Sequence, residues 1–242
     1  MINVQREAAI PSALNTQEIQ QYITDIQAYL ANPAVGIKPT EPGTYRSSDL
    51  LEAFDRCFHS KCYLTEQKFL NSWCMDIEHF VSQSVDRSRR YDWTNLYPAE
   101  HRANKMKPRA TPAGGYLDPC DPADDVETEI LYSLGIMGED PHFEPRDATN
   151  GKAVNTCELL NRLHNGHSEE TIKATAGLRF EIRKKYDHIK DLLIQWLGCS
   201  NPVLKHQYKR QLEMHLSRKS SFTMLCRSMV AVLNHVPAEM LD

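Results

Sequence analysis

No run of about 18 apolar residues occurs in the chain, so no transmembrane helix is expected. The first residues, MINVQREAAIPSALNTQ, lack the long apolar core of a secretory signal, and none is expected there. An excess of positive charge is missing as well: 28 Lys and Arg stand against 32 Asp and Glu, a net charge of −4. A free-standing nucleic-acid-binding module is usually basic. The balance therefore argues against unaided binding of nucleic acid and leaves room for a local basic groove or a charge-supplying partner. The seven cysteines are odd in number and scattered, which points to reduced thiols in the cytoplasm rather than a disulfide framework. There is no internal repeat and no low-complexity tract.

What the chain does hold is enough apolar sequence, 41% of its 242 residues, for a sizeable core. Thr16 predicts the cap of a helix over 17–31, with Ile19, Ile23, Ile26 and Leu30 on one face. A polar, Pro-rich stretch follows, and Ser47 or Ser48 starts a helix to about Cys57. Residues 60–80 read as a turn or hairpin ending in a strand from about Trp73 to Phe80. After the charged loop SQSVDRSRRYD, Pro98 is placed as the first residue of a helix that Pro108 ends. From 111 to 152 the chain is irregular and rich in Pro, Gly and Asp, apart from a strand or hairpin in EILYSLGIM. Helices are expected at about 153–164, 168–197, 201–217 and 220–235, with Ile182, Tyr186, Ile189 and Leu193 at helical spacing. The division is an N-terminal helix and linker (1–45), a small α+β catalytic core (46–110), the irregular segment (111–152) and a C-terminal helical bundle (153–242).

Chemistry concentrates in DIEHFVSQS and WTNLYPAEHRANKMKP. Fifteen residues separate His79 from Asn95, and eight separate Asn95 from Asn104. A strand ending in Glu78 and His79, a return to Asn95, and a helix packed across both would bring Asn104 towards Glu78. A hard cation such as Mg²⁺ takes carboxylate and carbonyl oxygens and keeps waters. Glu78 and the Asn104 amide fit that need, with Asp76 as a further donor. Neutral His79 is a base for water, beside a cation that stabilises charge on phosphoryl oxygens. Asn95 is better suited to hold the loop and orient the histidine. Lys105, Lys107 and the loop residues Arg87, Arg89 and Arg90 are candidates for phosphate contact. His101, three residues before Asn104 on the same helix face, is a candidate for metal or substrate contact, beside the plainer reading as a surface histidine.

This stretch resembles the HNH (ββα-metal) endonuclease signature: Glu78-His79, then Asn95-Leu96, then Asn104 to Lys107. Downstream, GGYLDPCDPADD, EILYSLGIMGED and AVNTCELLNRLHN resemble the HNH subunit of Septu-type antiphage systems, including retron-encoded ones. The resemblances span roughly residues 45–185. They imply an α+β fold with a ββα-metal core in a mostly helical protein, and an endonuclease of phage defence using Mg²⁺ or Mn²⁺. They favour DNA over RNA, and imply an ABC-type ATPase partner and, in retrons, a reverse transcriptase with its RNA/DNA product. Many HNH proteins also carry CxxC pairs for a structural zinc. Here the matching stretches read Cys62-Tyr-Leu-Thr65 and Glu100-His-Arg-Ala103, so three of four thiols are missing and a four-thiolate site is not expected. The core is then expected to rest on packing by Tyr63, Leu64, Trp73 and Trp93.

Plainer readings stand beside these. The chain could be a non-catalytic HNH-like subunit that regulates its ATPase partner, or a nuclease of structured RNA such as tRNA. Cys57, Cys62, Cys74 and His59 could form an irregular zinc site, though buried thiols are the commoner outcome. His164 and His167 read as a polar helix connection. The acidic 118–129 stretch reads as a solvated loop or a docking surface. Faces around Lys209–Met214 and Met224–Leu233 are candidates for partner contact.

Overall fold

The computed structural model describes residues 1–43, 45–134 and 140–231. Thr16 accepts the Ile19 amide at 3.3 Å and so caps α1 (Gln17–Ala31), satisfying a donor that a helix start leaves open. The helix buries Ile19, Tyr22 and Ile26, and Tyr22 meets Tyr91 edge-to-face at 5.4 Å. Leu30, expected on that face, is exposed because it lies in the last turn, beyond this contact. Helix α2 (Ser48–Phe58) follows Ser47 and buries Leu50, Leu51, Ala53, Phe54, Cys57 and Phe58. It stops at His59, whose backbone is left-handed (φ 55°).

The strand expected from Trp73 is shorter than its sequence suggested. Ser72–Cys74 form a single 3-10 turn, and β1 is Asp76–His79. Trp73 does not join the core: it is 64% exposed, whereas Tyr63, Leu64 and Trp93 are buried. Strand β2 (Leu96–Ala99) pairs antiparallel with β1, Glu78 opposite Tyr97 and His79 opposite Leu96. Pro98 therefore lies in a strand and not at the head of a helix. The Pro98 carbonyl faces outward and accepts the Tyr63 amide at 3.0 Å, so proline's missing N–H falls where the β1 ladder needs none. Helix α3 is His101–Met106, and its cap is Glu100, whose carboxylate accepts the Arg102 and Ala103 amides. A β–β–α succession thus fills 76–106.

A one-turn helix α4 (Val126–Glu129) leads into β3 (Ile130–Leu134), which pairs antiparallel with β4 (Pro141–Pro145). The strand expected in EILYSLGIM is present over its first half; residues 135–139 lie outside those described. Its partner, PHFEP, was hidden in a segment read as irregular, because its two prolines mask the alternation of buried Pro141 and Phe143 with exposed His142 and Glu144. Within the acidic stretch, Asp124 binds Lys152 at 2.8 Å and Glu127 binds Arg218 and Arg227 at 2.6 and 2.8 Å, while Asp121 is exposed.

Helix α5 (Gly151–Asn165) lies on the second sheet. His164, read as part of a polar connection, is buried, with its ring 4.7 Å from that of Phe143 and Nδ1 2.7 Å from the Leu160 carbonyl. The long helix expected over 168–197 is broken into α6 (Glu169–Ala174) and α7 (Ala176–Gly198). The break is at Thr175, whose hydroxyl donates to the Ile172 carbonyl and so competes with the helical ladder. Helices α8 (Pro202–Leu216) and α9 (Thr223–Ala231) pack with α7 around Ile189, Leu193, Trp196, Leu212 and Cys226. Met224, Leu225 and Val230 are buried, so that part of the 224–233 face belongs to the core; residues 232–242 lie outside those described. Met214 stays exposed. The architecture is α+β, with two small antiparallel sheets among helices. Among the described residues no helix is long and apolar enough to cross a membrane.

Candidate active site

Strand alternation puts Asp76 and Glu78 on one face of β1 and His79 on the other. Glu78 is buried. Its Oε2 accepts the Tyr63 hydroxyl at 2.6 Å and its Oε1 meets Lys107 Nζ at 2.5 Å. Lys107 also donates to the carbonyls of His79 (3.2 Å) and Phe80 (3.0 Å), and its side chain is 7% exposed. Glu78, expected to hold metal, is thus engaged in an internal ion pair. Lys107, expected to meet phosphate, ties the end of α3 to the end of β1.

The donors that converge on solvent are others. Asp76 Oδ2 accepts from Asn104 Nδ2 at 3.0 Å and lies 2.9 Å from His101 Nδ1. The three-residue spacing of His101 and Asn104 puts both on the α3 face that crosses β1. Among the described residues no group of three or more His, Cys, Asp or Glu is arranged to hold a metal ion. The Asp76–Asn104 pair nevertheless offers one carboxylate and one amide oxygen, the donors a Mg²⁺ ion takes while keeping waters. The residues present fit such an ion.

His79 is held from several sides. Its Nε2 lies 2.9 Å from the Arg90 carbonyl, which can only accept, so Nε2 carries the proton and Nδ1 the lone pair. The Gln83 amide donates to Nδ1 at 3.1 Å. Tyr45 packs edge-on against the ring with its hydroxyl 3.5 Å from Nε2. Burial pushes the His79 pKa below its ordinary value of 6.5, against the opposing pull of the Arg90 carbonyl and the Glu78 charge. The imidazole is therefore neutral near pH 7.

Asn95 explains why the Arg90 carbonyl is in place. Its side chain is fully buried and accepts the Val81 amide at 2.7 Å. It donates to the carbonyls of Val81 and Arg89, both at 3.1 Å. It pins both ends of the 81–90 loop, one residue from the carbonyl that sets the His79 tautomer.

Two clefts meet at Asn104. One, about 180 Å³, is lined by Glu78, His79, Gln83, Asn104, Lys107 and Arg109. The other, about 410 Å³, is lined by Tyr45, Arg46, Asp76, Arg90 and Asn104. The loop arginines are all in ion pairs: Arg87 and Arg90 with Glu41 at 3.7 and 3.4 Å, Arg89 with Asp92 at 3.0 Å. Of these, Arg90 lines a cleft. Lys105 is exposed. Tyr45, Arg46, Tyr63 and Gln83 were not foreseen as site residues. Tyr45 and Arg46 come from the linker after α1 and Tyr63 from the turn after α2, with no periodic signal to link them to His79. Of the candidate zinc thiols, Cys57 and Cys62 are buried and Cys74 is exposed with its sulfur 3.5 Å from Asn71 Oδ1.

No family model matches the chain, and no curated protein or solved structure matches it.

Proposed function

We propose that the chain is a divalent-cation-dependent nuclease of the HNH (ββα-metal) type that hydrolyses nucleic-acid phosphodiester bonds, with His79 as general base. The observation that carries this reading is the neutral, tautomer-fixed His79 in a cleft that it shares with Asn104, which in turn is hydrogen-bonded to Asp76 in the adjoining cleft, on a strand–strand–helix frame. Asp76 and Asn104 are the residues that would hold Mg²⁺ or Mn²⁺. When bound, such an ion supplies charge stabilisation at the phosphoryl and leaving oxygens. His79 Nδ1 takes the proton of an attacking water that replaces the Gln83 amide. Arg90 and Arg46, on the other side of Asn104, hold substrate phosphate by charge-assisted hydrogen bonds.

The biological setting proposed is phage defence with an ABC-type ATPase partner and, where a retron encodes it, a reverse transcriptase. DNA is favoured over RNA as substrate. This setting rests on the sequence resemblance, and the acidic chain suits a partner that delivers nucleic acid. The test is cleavage of DNA and RNA by the chain, with and without the ATPase encoded beside it, titrated with Mg²⁺ and Mn²⁺. Asp76→Ala and Asn104→Ala are expected to abolish cleavage or raise its metal requirement. Cleavage by both variants at the parent's metal concentration contradicts the assignment of the cation.

A further inference from the structure

Trp73 is 64% exposed, although tryptophan usually hides most of its surface, and its neighbour Leu70 is 92% exposed. The ring is nonetheless held in place. Asn71 Oδ1 accepts the Trp73 amide at 3.0 Å, and Arg46 Nη2 donates to the Trp73 carbonyl at 2.7 Å. The Arg46 guanidinium lies 5.6 Å from the indole centroid. Arg46 also lines the cleft that holds Asp76, Arg90 and Asn104, and Trp73 stands three residues before Asp76. An aromatic plane, a guanidinium and the candidate phosphate cleft therefore form one continuous surface.

We propose that Trp73 is a stacking platform for an unpaired nucleobase, with Arg46 holding the adjoining phosphate, so that the strand entering the cleft is single-stranded at this point. The inference rests on the nuclease reading and names its substrate class. Bases inside a duplex are already stacked on one another and cannot present a free face to an indole. An unpaired base can, and such stacking tolerates any base because each has a π-face. Arg46 offers a planar fork for a phosphate and keeps its apolar side against the ring. The fit is to a single strand, a flap or a frayed end rather than to intact duplex.

The experiment uses the full-length chain with His79→Ala, so that cleavage does not consume the probe. Trp93 and Trp196 are buried, at 4% and 9% exposure, so quenching of tryptophan emission on titration with oligo(dT) reads Trp73. Saturable quenching by oligo(dT), with none by a duplex of equal length, is expected. Anisotropy of a labelled oligo(dT) gives the affinity of variants. Trp73→Ala is expected to weaken binding roughly ten- to hundredfold, and Trp73→Phe, which keeps a stacking ring, much less. Absence of quenching, equal quenching by duplex, or unchanged affinity in Trp73→Ala overturns the proposal, and the exposed patch is then better read as a protein contact. The nuclease reading fails separately, if the parent cleaves neither DNA nor RNA with Mg²⁺ or Mn²⁺, with or without the ATPase partner, while oligo(dT) still binds.

Discussion

Replacing Lys107 by methionine separates the two roles this residue could have. Its ammonium sits 2.5 Å from Glu78 Oε1, with the two side chains 7% and 6% exposed, and it donates to two main-chain carbonyls besides. Methionine keeps most of the aliphatic stem against Phe80 and removes the charge. Glu78 then keeps only the Tyr63 hydroxyl, and a buried carboxylate without its counter-charge costs about 3–5 kcal/mol. For a chain of this size each kcal/mol lowers the melting temperature by about 2–4 °C, so Lys107→Met is expected to melt about 6–20 °C lower. The assay is thermal and urea unfolding by circular dichroism, on Lys107→Met and on the double variant Glu78→Gln, Lys107→Met. The neutral glutamine removes the stranded charge, so the double variant is expected to recover much of the loss. A Lys107→Met variant that melts with the parent but binds nucleic acid poorly would refute this reasoning and restore Lys107 to the phosphate.

Asn95→Ala removes three hydrogen bonds from a fully buried side chain and is expected to cost about 3 kcal/mol. Cleavage is expected to fall at temperatures where the variant is still folded, because the loop that presents the Arg90 carbonyl to His79 is released; a kcat against temperature series beside the melting curve checks this. The buried His164 has its pKa lowered from 6.5 to about 3, chiefly by desolvation. Its unfolded state takes up a proton that the folded state refuses, so stability present above pH 6.5 is lost as pH falls, by about 1.4 kcal/mol per unit from this group until about pH 3. Urea unfolding at stepped pH is expected to show that slope, and His164→Leu to flatten it. Gly166→Ala is expected to destabilise by at least 1–3 kcal/mol (roughly). Gly166 has φ +78°, and an added Cβ would come within 2.5 Å of the Ile172 backbone nitrogen. A melting temperature equal to the parent's would show that the α5–α6 turn relaxes freely.

The sequence carried what is local. Thr16 and the apolar periodicity of α2 and of the stretch after Gly151 marked helices because caps and apolar stripes act over one or two turns, whereas the Ser47 hydroxyl caps no amide of α2 and bonds the Asp49 carboxylate. The order His79, Asn95, Asn104 pointed to a strand–strand–helix unit through the signature it resembles, and β1, β2 and α3 follow in that order. What it could not carry are choices made by long-range partners. Pro98 signals a helix start unless Tyr63 occupies its carbonyl across the chain. Glu78 is a metal-ligand candidate by sequence, and its contacts to Lys107 and Tyr63 come from residues 29 and 15 positions away. Asp76, only a third donor by sequence, gains its place because His101 and Asn104 both reach it from α3. Trp73 reads as core by composition, and its exposure follows from a single 3-10 turn that strand periodicity does not reveal.

The central claim is that neutral His79 removes a proton from water. The pH–rate profile of metal-dependent cleavage by the parent and by His79→Ala tests it most directly. The parent is expected to lose activity only as pH falls below 6.5, since the folded His79 pKa lies under that value. His79→Ala is expected to be slower by about 10²–10⁴-fold without that acid limb. A His79→Ala variant that cleaves at the parent's rate, with the same profile, would contradict the account.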